Sequence, residues 1–556
     1  MKINLKKHFW FVLLLSGAFL VGFRAGDLFE IAKSMDIFGK VYTEINTVFV
    51  DETNPTDLMR TGIDSMLKNL DPYTNYFSES QIETSKIFST GEYSGIGAEV
   101  GLRGDKVLIL ELFEESPAFE AGLLVGDQIL KIDAEEVYES RMSLDKVNSL
   151  LLGERGSNLA LSIRRPGQED VQVIDVSRGG TETQAENVPY FAMATPEVGY
   201  ILQTGFMTNA GKEVADALKK LKEENDGMKA VILDLRGNPG GQLNEAVNVS
   251  NVFVPKGELI TEMKGRSRDS KAKFYTRMSA IDQEIPLAVL VNSGSASASE
   301  IVSGSIQDLD RGVVLGQRSF GKGLVQNFRP LSYNTQMKVT IARYYTPSGR
   351  CIQAIDYSNR NADGSVGKVP KELITEYQTR NGRPVYDGGG VMPDLPIEKK
   401  DNPPILKALT EQGFIFDFVT AFAQENENIE GPRAFKLSDE IYEDFSAFVR
   451  EKGLTFSTLS ENQIDKLSTS LKKNGYEGSM ESLLKEVREK LEAEKKQDLI
   501  RHKEAIKTEL KREIINRYYF KQGVLESAFV DDPVILKAVE TVLDEEAYNN
   551  ILRIQK

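Results

Sequence analysis

The chain is long and acidic, and these two properties exclude some classes of protein at once. It has 556 residues, a formal net charge of −15 at pH 7 and a single cysteine, Cys351. One hydrophobic core does not support a chain of this length, so several domains are expected. The negative charge argues against a general nucleic-acid binder, which needs a basic surface. One cysteine excludes an internal disulfide and a zinc site built from cysteines.

The N-terminus has the pattern of an export signal. Lys2, Lys6 and Lys7 precede a largely apolar run at residues 9–23. A basic flank followed by about 15 apolar residues is typical of a secretory signal peptide and is short for a membrane-spanning helix. Residues 1–24 are therefore predicted to be a cleaved signal peptide or an uncleaved membrane anchor. Either alternative predicts export across the cytoplasmic membrane, with a periplasmic protein that is anchored to the inner membrane if the segment is retained.

Residues 25–88 are predicted to form an N-terminal helical arm. Apolar side chains recur there at helical spacing in two stripes, one from Ile31 to Val48 and one from Leu58 to Leu67. The segment L-D-P-Y-T at 70–74 should end the helical pattern, because proline disfavours helical geometry at the residue before it.

Residues 89–178 change to short strands separated by glycine turns. The pieces S-P-A-F-E-A-G-L at 116–123 and G-D-Q-I-L-K-I-D at 126–133 stand in the order and at the spacing of a PDZ domain. In such a domain a loop offers N–H groups to a peptide's C-terminal carboxylate, while a neighbouring strand edge pairs with the peptide. Gly95, Ile96, Gly97 and Ala98 match that loop. A small β-domain without a ligand is the alternative.

Residues 179–400 are predicted to form an α/β core. Strands are expected at 198–202, 230–235, 287–291, 313–315 and 337–345, with a helix at about 298–309. The strand at 230–235 is apolar except for Asp234, and such runs suit strands that are covered on both faces. The alternation of strands and helices indicates stacked βα units.

Residues 401–556 are predicted to be a separate helical region. Lysine and glutamate are frequent there, and apolar residues keep helical spacing around residues 483–491 and 506–515. A solvated helical appendage is the simpler interpretation of this pattern. A dimerisation or partner-binding arm is the alternative.

The distribution of histidines restricts the chemistry of the core. The only two, His8 and His502, lie in the N-terminal segment and in the helical tail. A Ser-His-Asp triad needs an imidazole beside the nucleophilic hydroxyl, and the core contains none. A lysine amine is the remaining candidate base, provided that its surroundings remove its charge.

A run of small residues, N-S-G-S-A-S-A-S-E at 292–300, closes one predicted strand and opens a helix. Ser297 and Glu300 have capping-box spacing, which places Ser297 at the helix start. The N–H of Ala298 then points to where an oxyanion would form. Spacing alone does not choose among the four serines, at 293, 295, 297 and 299.

Two glycine-rich turns complete the set of motifs. The first, L-R-G-N-P-G-G at 235–241, follows a core strand, and in parallel sheets the carboxyl ends of strands form sites. The second, G-Q-R-S-F-G-K-G at 316–323, nearly spells a phosphate-binding loop, but Gly323 lacks the hydroxyl that would hold magnesium. Lys322 in this turn is a candidate base. Burial and the nearby Arg318 would have to lower its pKa from about 10.4; a surface lysine is the alternative.

Together these motifs resemble the carboxy-terminal processing peptidases, also called tail-specific proteases. The resemblance covers roughly residues 35–400 and includes D-L-R-G-N-P-G-G at 234–241, S-A-S-A-S-E at 295–300, F-G-K-G-L-V-Q at 320–326, Y-T-P-S-G-R at 345–350 and M-P-D at 392–394. It implies a ClpP/crotonase-like serine peptidase core with a PDZ domain. It also implies an endopeptidase that recognises C-terminal segments of polypeptides and needs neither metal nor organic cofactor.

The resemblance also assigns roles to individual residues. Ser297 becomes the nucleophile, and Lys322, 25 positions later, becomes its base. Gln326 orients the lysine, on the same helical face if the segment is helical. The oxyanion donors become the N–H groups of Ala298 and Gly241.

Several alternatives remain at this point. Asp308 corresponds to an acidic residue with a supporting role in some members of the family, although a helix-end carboxylate is the preferred interpretation. Polypeptides with accessible C-termini are the expected partners, and a homo-oligomer is left open. A catalytically silent PDZ adaptor and a crotonase-type acyl-CoA enzyme are the rival functions.

Overall fold

The computed structural model describes residues 28–79, 81–82, 93–179, 186–361, 365–398 and 401–553. The predicted export segment at 1–24 lies outside these residues. By their contacts the described residues form two compact units: those up to Ile82 together with Gln326–Thr340, and those from Tyr93 to Val325 together with those from Ile341 onward. No helix in the described ranges combines the length and the apolar character needed to span a membrane.

The first unit contains the helices of the predicted arm. They run over 28–48 and Pro55–Lys68. Asn54 caps the second helix by accepting hydrogen bonds from two backbone N–H groups of the first turn. After this helix, Asp71 Oδ1 accepts the N–H groups of Tyr73 and Thr74 at 2.8 and 2.9 Å. The L-D-P-Y-T segment therefore ends the helical pattern as predicted, and the strand Asn75–Phe77 that follows pairs antiparallel with residues 336–338.

The predicted PDZ domain opens the second unit with an antiparallel sheet. Its strands are Ala98–Arg103, Lys106–Leu112, Gln128–Ile132, Glu135–Glu136, Asn158–Arg164 and Val171–Ser177. Tyr93–Ser94 pairs separately with Gly153–Glu154, and the helices are Pro117–Glu120 and Leu144–Leu151. Leu159, Leu161 and Ile163 alternate with more exposed neighbours and enter the core. Strand Ala98–Arg103 forms an edge of the sheet.

The core sheet has six strands in the order Tyr190–Thr195, Val198–Leu202, Ala230–Asp234, Leu287–Val291, Val313–Gly316 and Leu395–Pro396. The first pair is antiparallel, and the remaining pairs are parallel. One face carries the helices Ala210–Glu224, Leu243–Phe253 and Ala298–Asp308, which pack on side chains such as Leu233 and Val289. The α/β core predicted from the apolar runs is confirmed.

The other face of the core sheet is covered by the end of the chain. The helices Pro533–Leu543 and Glu545–Leu552, here called the C-terminal pair, pack with Phe529 on the alternate side chains of the same strands, such as Ile232 and Leu290. The prediction of a separate helical tail is therefore wrong for residues from about 525 onward. The amphipathic pattern showed that these helices have an apolar face, but it carried no information on which surface that face covers.

The rest of the helical region has a core of its own. The helices Pro404–Glu411, Phe414–Glu425, Asp439–Lys452 and Lys503–Asp531 bury residues such as Phe445 and Leu510 together. Leu459–Lys473 and Glu477–Lys495 follow as further helices, with the short Asp498–Arg501 after them. The long helix is interrupted at Phe520, whose φ is 53°, and the Phe520 ring packs edge-on against Phe119 of the PDZ domain at 5.3 Å.

Further strands and turns lie between residues 259 and 386 of the chain. They are the strands Leu259–Gly265, Ala272–Tyr275, Leu324–Pro330, Gln336–Tyr345, Ile355–Arg360, Val366–Lys368, Glu376–Gln378 and Pro384–Tyr386 and the 3-10 turns Arg268–Ser270 and Lys371–Leu373. Strand Leu259–Gly265 pairs antiparallel with Ala272–Tyr275 and with residues 342–345 of the long strand. This pairing places Tyr344 beside the predicted catalytic motifs.

Candidate active site

Two turns meet at the carboxyl ends of neighbouring core strands. The glycine turn (residues 235–241) follows strand Ala230–Asp234, and the serine turn (residues 292–297) follows Leu287–Val291. The carbonyl of Asn238 accepts the N–H of Ala296 at 3.0 Å, and the side chain of Asn292 accepts the N–H of Gly237 at 2.9 Å. The expectation that both turns share one edge of the sheet is confirmed.

The four serines of the run have different surroundings. Ser295 and Ser299 are fully buried, and their hydroxyls donate to the carbonyls of Leu235 and Asn238 at 2.7 and 2.9 Å. Ser293 is exposed. The remaining serine, Ser297, is partly exposed and caps the helix Ala298–Asp308, which we call the serine helix.

Ser297 has an unusual backbone conformation. Its φ is 55° and its ψ is −109°. A residue other than glycine in the positive-φ region costs on the order of 1–3 kcal/mol, and such residues are common at active sites and ligand sites. Burial, hydrogen bonding and backbone geometry together single out this serine from its three neighbours, which spacing did not do.

Two backbone N–H groups lie beside Ser297. Ala298 occupies the first position of the serine helix, where the N–H has no acceptor within the helix. Among the residues that the structure describes, neither the Ala298 N–H nor the Gly241 N–H has a hydrogen-bond acceptor. Gly240, whose φ is +98°, lies so close that a Cβ there would stand 2.8 Å from the Ala298 nitrogen and 2.9 Å from the Ser297 Cβ. A side chain at 240 would fill the space next to the hydroxyl.

The buried carboxylate of Glu300 joins the serine helix to the lysine loop (residues 317–323). One oxygen, Oε2, accepts the N–H groups of both Ser297 and Lys322 at 2.9 Å. The other, Oε1, accepts the Gly321 N–H at 2.7 Å and the Ser319 hydroxyl. Burial raises the pKa of Glu300 above its usual value, while these hydrogen bonds act in the opposite direction. The backbones of Ser297 and Lys322 thus lie side by side.

A second side chain makes the same connection through carbonyl groups. The hydroxyl of the buried Tyr344 lies within hydrogen-bonding distance of the carbonyl oxygens of Ser297, at 3.1 Å, and of Lys322. The sequence indicated Glu300 only as a helix cap, and it gave no sign of Tyr344. The contact of Glu300 with Lys322 and the contacts of Tyr344 join residues that are distant along the chain, and no local sequence pattern predicts such contacts.

The lysine loop depends on its glycines. A Cβ on Gly321 would stand 2.3 Å from the Cβ of Ala354, and one on Gly323 would stand 2.8 Å from the nitrogen of Gln353. The N–H of Gly323 donates to the Gln353 side chain at 2.7 Å. Lys322 between them is partly buried.

Gln326 lies on a strand, and the idea of a shared helical face with Lys322 is wrong. The strand Leu324–Pro330 begins two residues after the lysine. Gln326 belongs to the first unit, where its amide nitrogen donates to the Thr340 hydroxyl at 3.2 Å. Glycines on both sides of the lysine and the apolar pair at 324–325 favour extended geometry. The orienting role of Gln326 stays a prediction.

Asp308 is a structural residue of the serine helix. Its carboxylate pairs with Arg350 at 2.8 Å, and both side chains are at most 1% exposed. Its second oxygen accepts the Ser348 N–H at 3.0 Å. These contacts agree with the preferred interpretation of a helix-end carboxylate. In the described ranges no three His, Cys, Asp or Glu side chains are grouped so as to hold a metal ion.

The predicted carboxylate loop of the PDZ domain points its carbonyls into the domain. The carbonyls of Gly95, Ile96 and Gly97 accept N–H groups from Gly179, Ala118 and Phe113. Among the described residues, the N–H groups of Ile96 and Gly97 have no acceptor of their own. Gly97 has a φ of +78°, and a Cβ there would stand 2.3 Å from the Ser116 Cβ. The loop precedes the edge strand Ala98–Arg103, an arrangement that suits a peptide carboxylate.

Replacing Glu300 by glutamine is expected to lower kcat about tenfold or more and to destabilise the protein by about 1–3 kcal/mol. The glutamine amide has one acceptor oxygen. Its NH₂ group would face backbone N–H groups that now donate hydrogen bonds to the carboxylate, and these N–H groups would lose their acceptor. The Ser297 and Lys322 backbones would then separate, and small displacements of catalytic groups reduce rates strongly. Steady-state kinetics and urea denaturation of the variant measure both effects.

Glu245→Gln is the matched control for that variant. Glu245 also lies in the first turn of a core helix and accepts a backbone N–H, that of Gly211 at 2.9 Å. Its loss should leave kcat within about twofold, because it contacts neither turn of the site. Equal kcat values for Glu300→Gln and Glu245→Gln would contradict the role given to Glu300.

Comparison with known proteins supports the same assignment independently of the geometry. Residues 197–359 match the model of "Peptidase family S41", residues 111–165 match "PDZ domain", and residues 405–542 match "Probable PDZ-protease, C-terminal helical domain". The chain is 33% identical over 325 residues to a "Carboxy-terminal-processing protease" of Bartonella bacilliformis, covering 58% of this chain and 73% of the relative. It is 32% identical over 315 residues to a "Probable CtpA-like serine protease" of Staphylococcus aureus, covering 56% of this chain and 61% of that relative.

Among solved structures, the Photosystem II D1 C-terminal processing protease is similar, with 25% identity, 65% of this chain and 92% of that chain covered, and a TM-score of 0.35. The family models by themselves cover part of the PDZ domain and the part of the core that holds the two turns. The predicted α/β peptidase core, PDZ domain and C-terminal helical domain are therefore confirmed as a combination. The chain belongs to the carboxy-terminal processing peptidases of peptidase family S41 and is a serine-type peptidase.

Proposed function

We propose that the protein is an exported endopeptidase that captures polypeptides by their C-termini and cleaves them with Ser297 as nucleophile and Lys322 as general base. One observation carries the proposal: Glu300 and Tyr344 each contact the backbones of both residues, the first through N–H groups and the second through carbonyls. Two buried side chains thus hold a strained serine beside a lysine, and the core contains no histidine.

The proposed reaction begins with proton transfer. Uncharged Lys322 takes the hydroxyl proton as the Ser297 oxygen attacks the scissile carbonyl carbon. The tetrahedral oxyanion accepts hydrogen bonds from the N–H groups of Ala298 and Gly241. The protonated amine then gives its proton to the leaving nitrogen, which leaves an acyl-enzyme. Water then attacks this ester while Lys322 takes a proton from it, the amine returns that proton to the departing Ser297 oxygen, and the new C-terminal carboxylic acid is released.

The PDZ domain supplies substrate recognition in this proposal. The N–H groups of the loop from Gly95 to Ala98 bind the C-terminal carboxylate, and the peptide adds to the edge strand Ala98–Arg103. Side chains do not need to supply the charge, because backbone N–H groups in a glycine-bounded loop form an anion site. Export through the segment 1–24 and attachment to the membrane if that segment is retained complete the proposal.

Substrate capture is tested with two peptides that differ only in the C-terminal group. The full chain carrying Ser297→Ala should bind a fluorescent peptide with an apolar C-terminus and a free carboxylate at least tenfold more tightly than the same peptide as its C-terminal amide. Hydrogen bonds to a charged group contribute about 1.5–3 kcal/mol, which corresponds to a factor of roughly 10–100. Fluorescence anisotropy measures both dissociation constants.

A second arm of this experiment separates the peptidase from the adaptor. Wild-type protein should cleave an unfolded polypeptide with the same free C-terminus, whereas a silent adaptor would bind it and leave it intact. Equal affinity for the carboxylate and the amide would contradict the recognition mode without touching the chemistry at Ser297.

A further inference from the structure

We propose that Asp532, at the start of the first helix of the C-terminal pair, is a positioning residue for the glycine turn of the active site. The end of the chain thereby takes part in the geometry of the oxyanion site, almost 300 residues away in sequence. This inference rests on the proposed function, because it concerns the turn that carries the Gly241 donor.

Arg236 is the link between the helix and the turn. Its guanidinium binds both oxygens of Asp234, the last residue of the preceding core strand, at 2.6–3.0 Å. Its remaining arm, Nη1, donates to Asp532 Oδ2 at 2.7 Å. Tyr200 on the adjacent strand donates its hydroxyl to Asp234 at 2.8 Å. The guanidinium is therefore held from both sides by carboxylates.

The two carboxylate oxygens of Asp532 have different partners. Oδ1 caps the helix Pro533–Leu543 by accepting the N–H groups of Val534 and Ile535 at 2.8 and 3.3 Å. Oδ2 binds Arg236. Because one carboxylate holds both the helix start and the arginine, the packing of the C-terminal pair on the core sheet fixes the position of the guanidinium.

The ion pair is protected from solvent. The side chains of Arg236 and Asp532 are 22% and 21% exposed, and that of Asp234 is 2% exposed. Ion pairs on the open surface contribute little, whereas charged pairs with hydrogen-bond geometry in partly buried sites are stronger. A partly buried ion pair of this kind can hold the glycine turn in a fixed position.

The glycines after Arg236 make the position of the turn important for catalysis. Gly237 begins the positive-φ part of the turn, and Gly240 packs against Ser297 and Ala298 with no room for a side chain. Losing one oxyanion donor costs about 10²–10³ in kcat. If the turn is only loosened, kcat should decrease by less than this. The decrease should appear mainly in kcat and not in KM, because the oxyanion donors bind the transition state more strongly than the bound substrate.

The test uses Asp532→Asn in the full chain. Asparagine keeps an acceptor for the helix cap but removes the charge that binds Arg236. We expect kcat to fall about tenfold with KM unchanged within about twofold, and the affinity for a substrate-like peptide aldehyde to fall by the same factor as kcat/KM. The aldehyde forms a hemiacetal with Ser297 whose oxygen occupies the oxyanion site, so its affinity reports the donors directly. Asp532→Ser, which also caps helices, is the second variant if the first folds poorly.

Asp544→Asn is the matched control. Asp544 caps the second helix of the C-terminal pair by accepting the Ala547 N–H at 3.0 Å, and it binds no arginine among the described residues. It should lower thermal stability less than Asp532→Asn, because it changes only a helix cap that asparagine also provides, and it should leave kcat within about twofold. A wild-type kcat in Asp532→Asn, or an equal kcat loss in Asp544→Asn, would overturn the inference.

Ser297→Ala, assayed alongside, distinguishes a failure of the proposed function from a failure of the positioning role of Asp532. If it cleaves as fast as wild type, the proposed function falls and the inference falls with it. If it is inactive while Asp532→Asn keeps its full kcat and aldehyde affinity, the proposed function stands and only the positioning role is refuted.

Discussion

Replacing Ser297 or Lys322 by alanine is expected to lower kcat/KM for a cleaved polypeptide by about four orders of magnitude or more. Removing the nucleophile leaves no covalent route, and removing the base leaves a hydroxyl that is protonated at neutral pH. Groups that act as a unit are not additive, so the double variant should be no worse than either single one. Cleavage of an unfolded protein with an apolar C-terminus, followed by mass spectrometry of the products, measures the loss.

Ser293→Ala is the control for these variants. Ser293 lies four residues before Ser297 in the same turn but is exposed, and its removal should leave kcat/KM within about twofold. This comparison also decides among the serines that spacing left open. Full activity in Ser297→Ala together with a loss in Ser293→Ala would move the nucleophile to the other serine and refute the site.

Replacing Phe529 by alanine is expected to lower the free energy of unfolding by about 3–5 kcal/mol, the usual cost of removing a buried phenylalanine. Phe529 is 4% exposed and contacts the ring of Tyr200 edge-on at 5.1 Å on the face of the core sheet that the C-terminal pair covers. Since whole domains are stable by only about 5–15 kcal/mol, deleting all residues from 525 onward should leave the core unfolded. Urea denaturation followed by fluorescence or circular dichroism measures both changes.

Leu536→Ala provides the comparison within the same helical segment. Leu536 lies on the helix Pro533–Leu543 but is 44% exposed, so its truncation should cost less than about 1 kcal/mol. A chain that ends at residue 524 and still folds, cleaves and binds peptides would show that the C-terminal pair is an appendage after all.

Much of the fold could be predicted because its signals are local. The run 230–235 is apolar at nearly every position, and such a run predicts a strand covered on both faces wherever the covering helices come from. The helices on one face follow their strands directly, and alternation predicts them. The helices on the other face come from beyond residue 525. Helical spacing shows that they are amphipathic, but pairing an apolar face with a distant sheet requires the tertiary structure.

The active site divides in the same way. Ser297 and Lys322 could be identified because the motifs around them resemble a known family, and Ala298 could be placed because it stands at a helix start. Glu300 was visible only as a cap, since its contact with Lys322 spans 22 positions. Tyr344 lies on a strand, and the alternation of side chains along that strand predicts which face of the sheet it is on. That alternation does not predict that Tyr344 contacts the lysine loop. Side chains that join two distant loops have no periodic signature.

Covalent labelling of the nucleophile would show whether Lys322 activates Ser297. A peptidyl fluorophosphonate with an apolar C-terminus would be reacted with wild-type protein and with Lys322→Ala over a range of pH, and the modified residue would be located by peptide mapping. Because an amine acts as a base only when uncharged, we expect a single label on Ser297, formed at a rate that rises with pH and then levels off, and almost no label in Lys322→Ala. Labelling at the same rate with and without the lysine, or labelling at another residue, would contradict it.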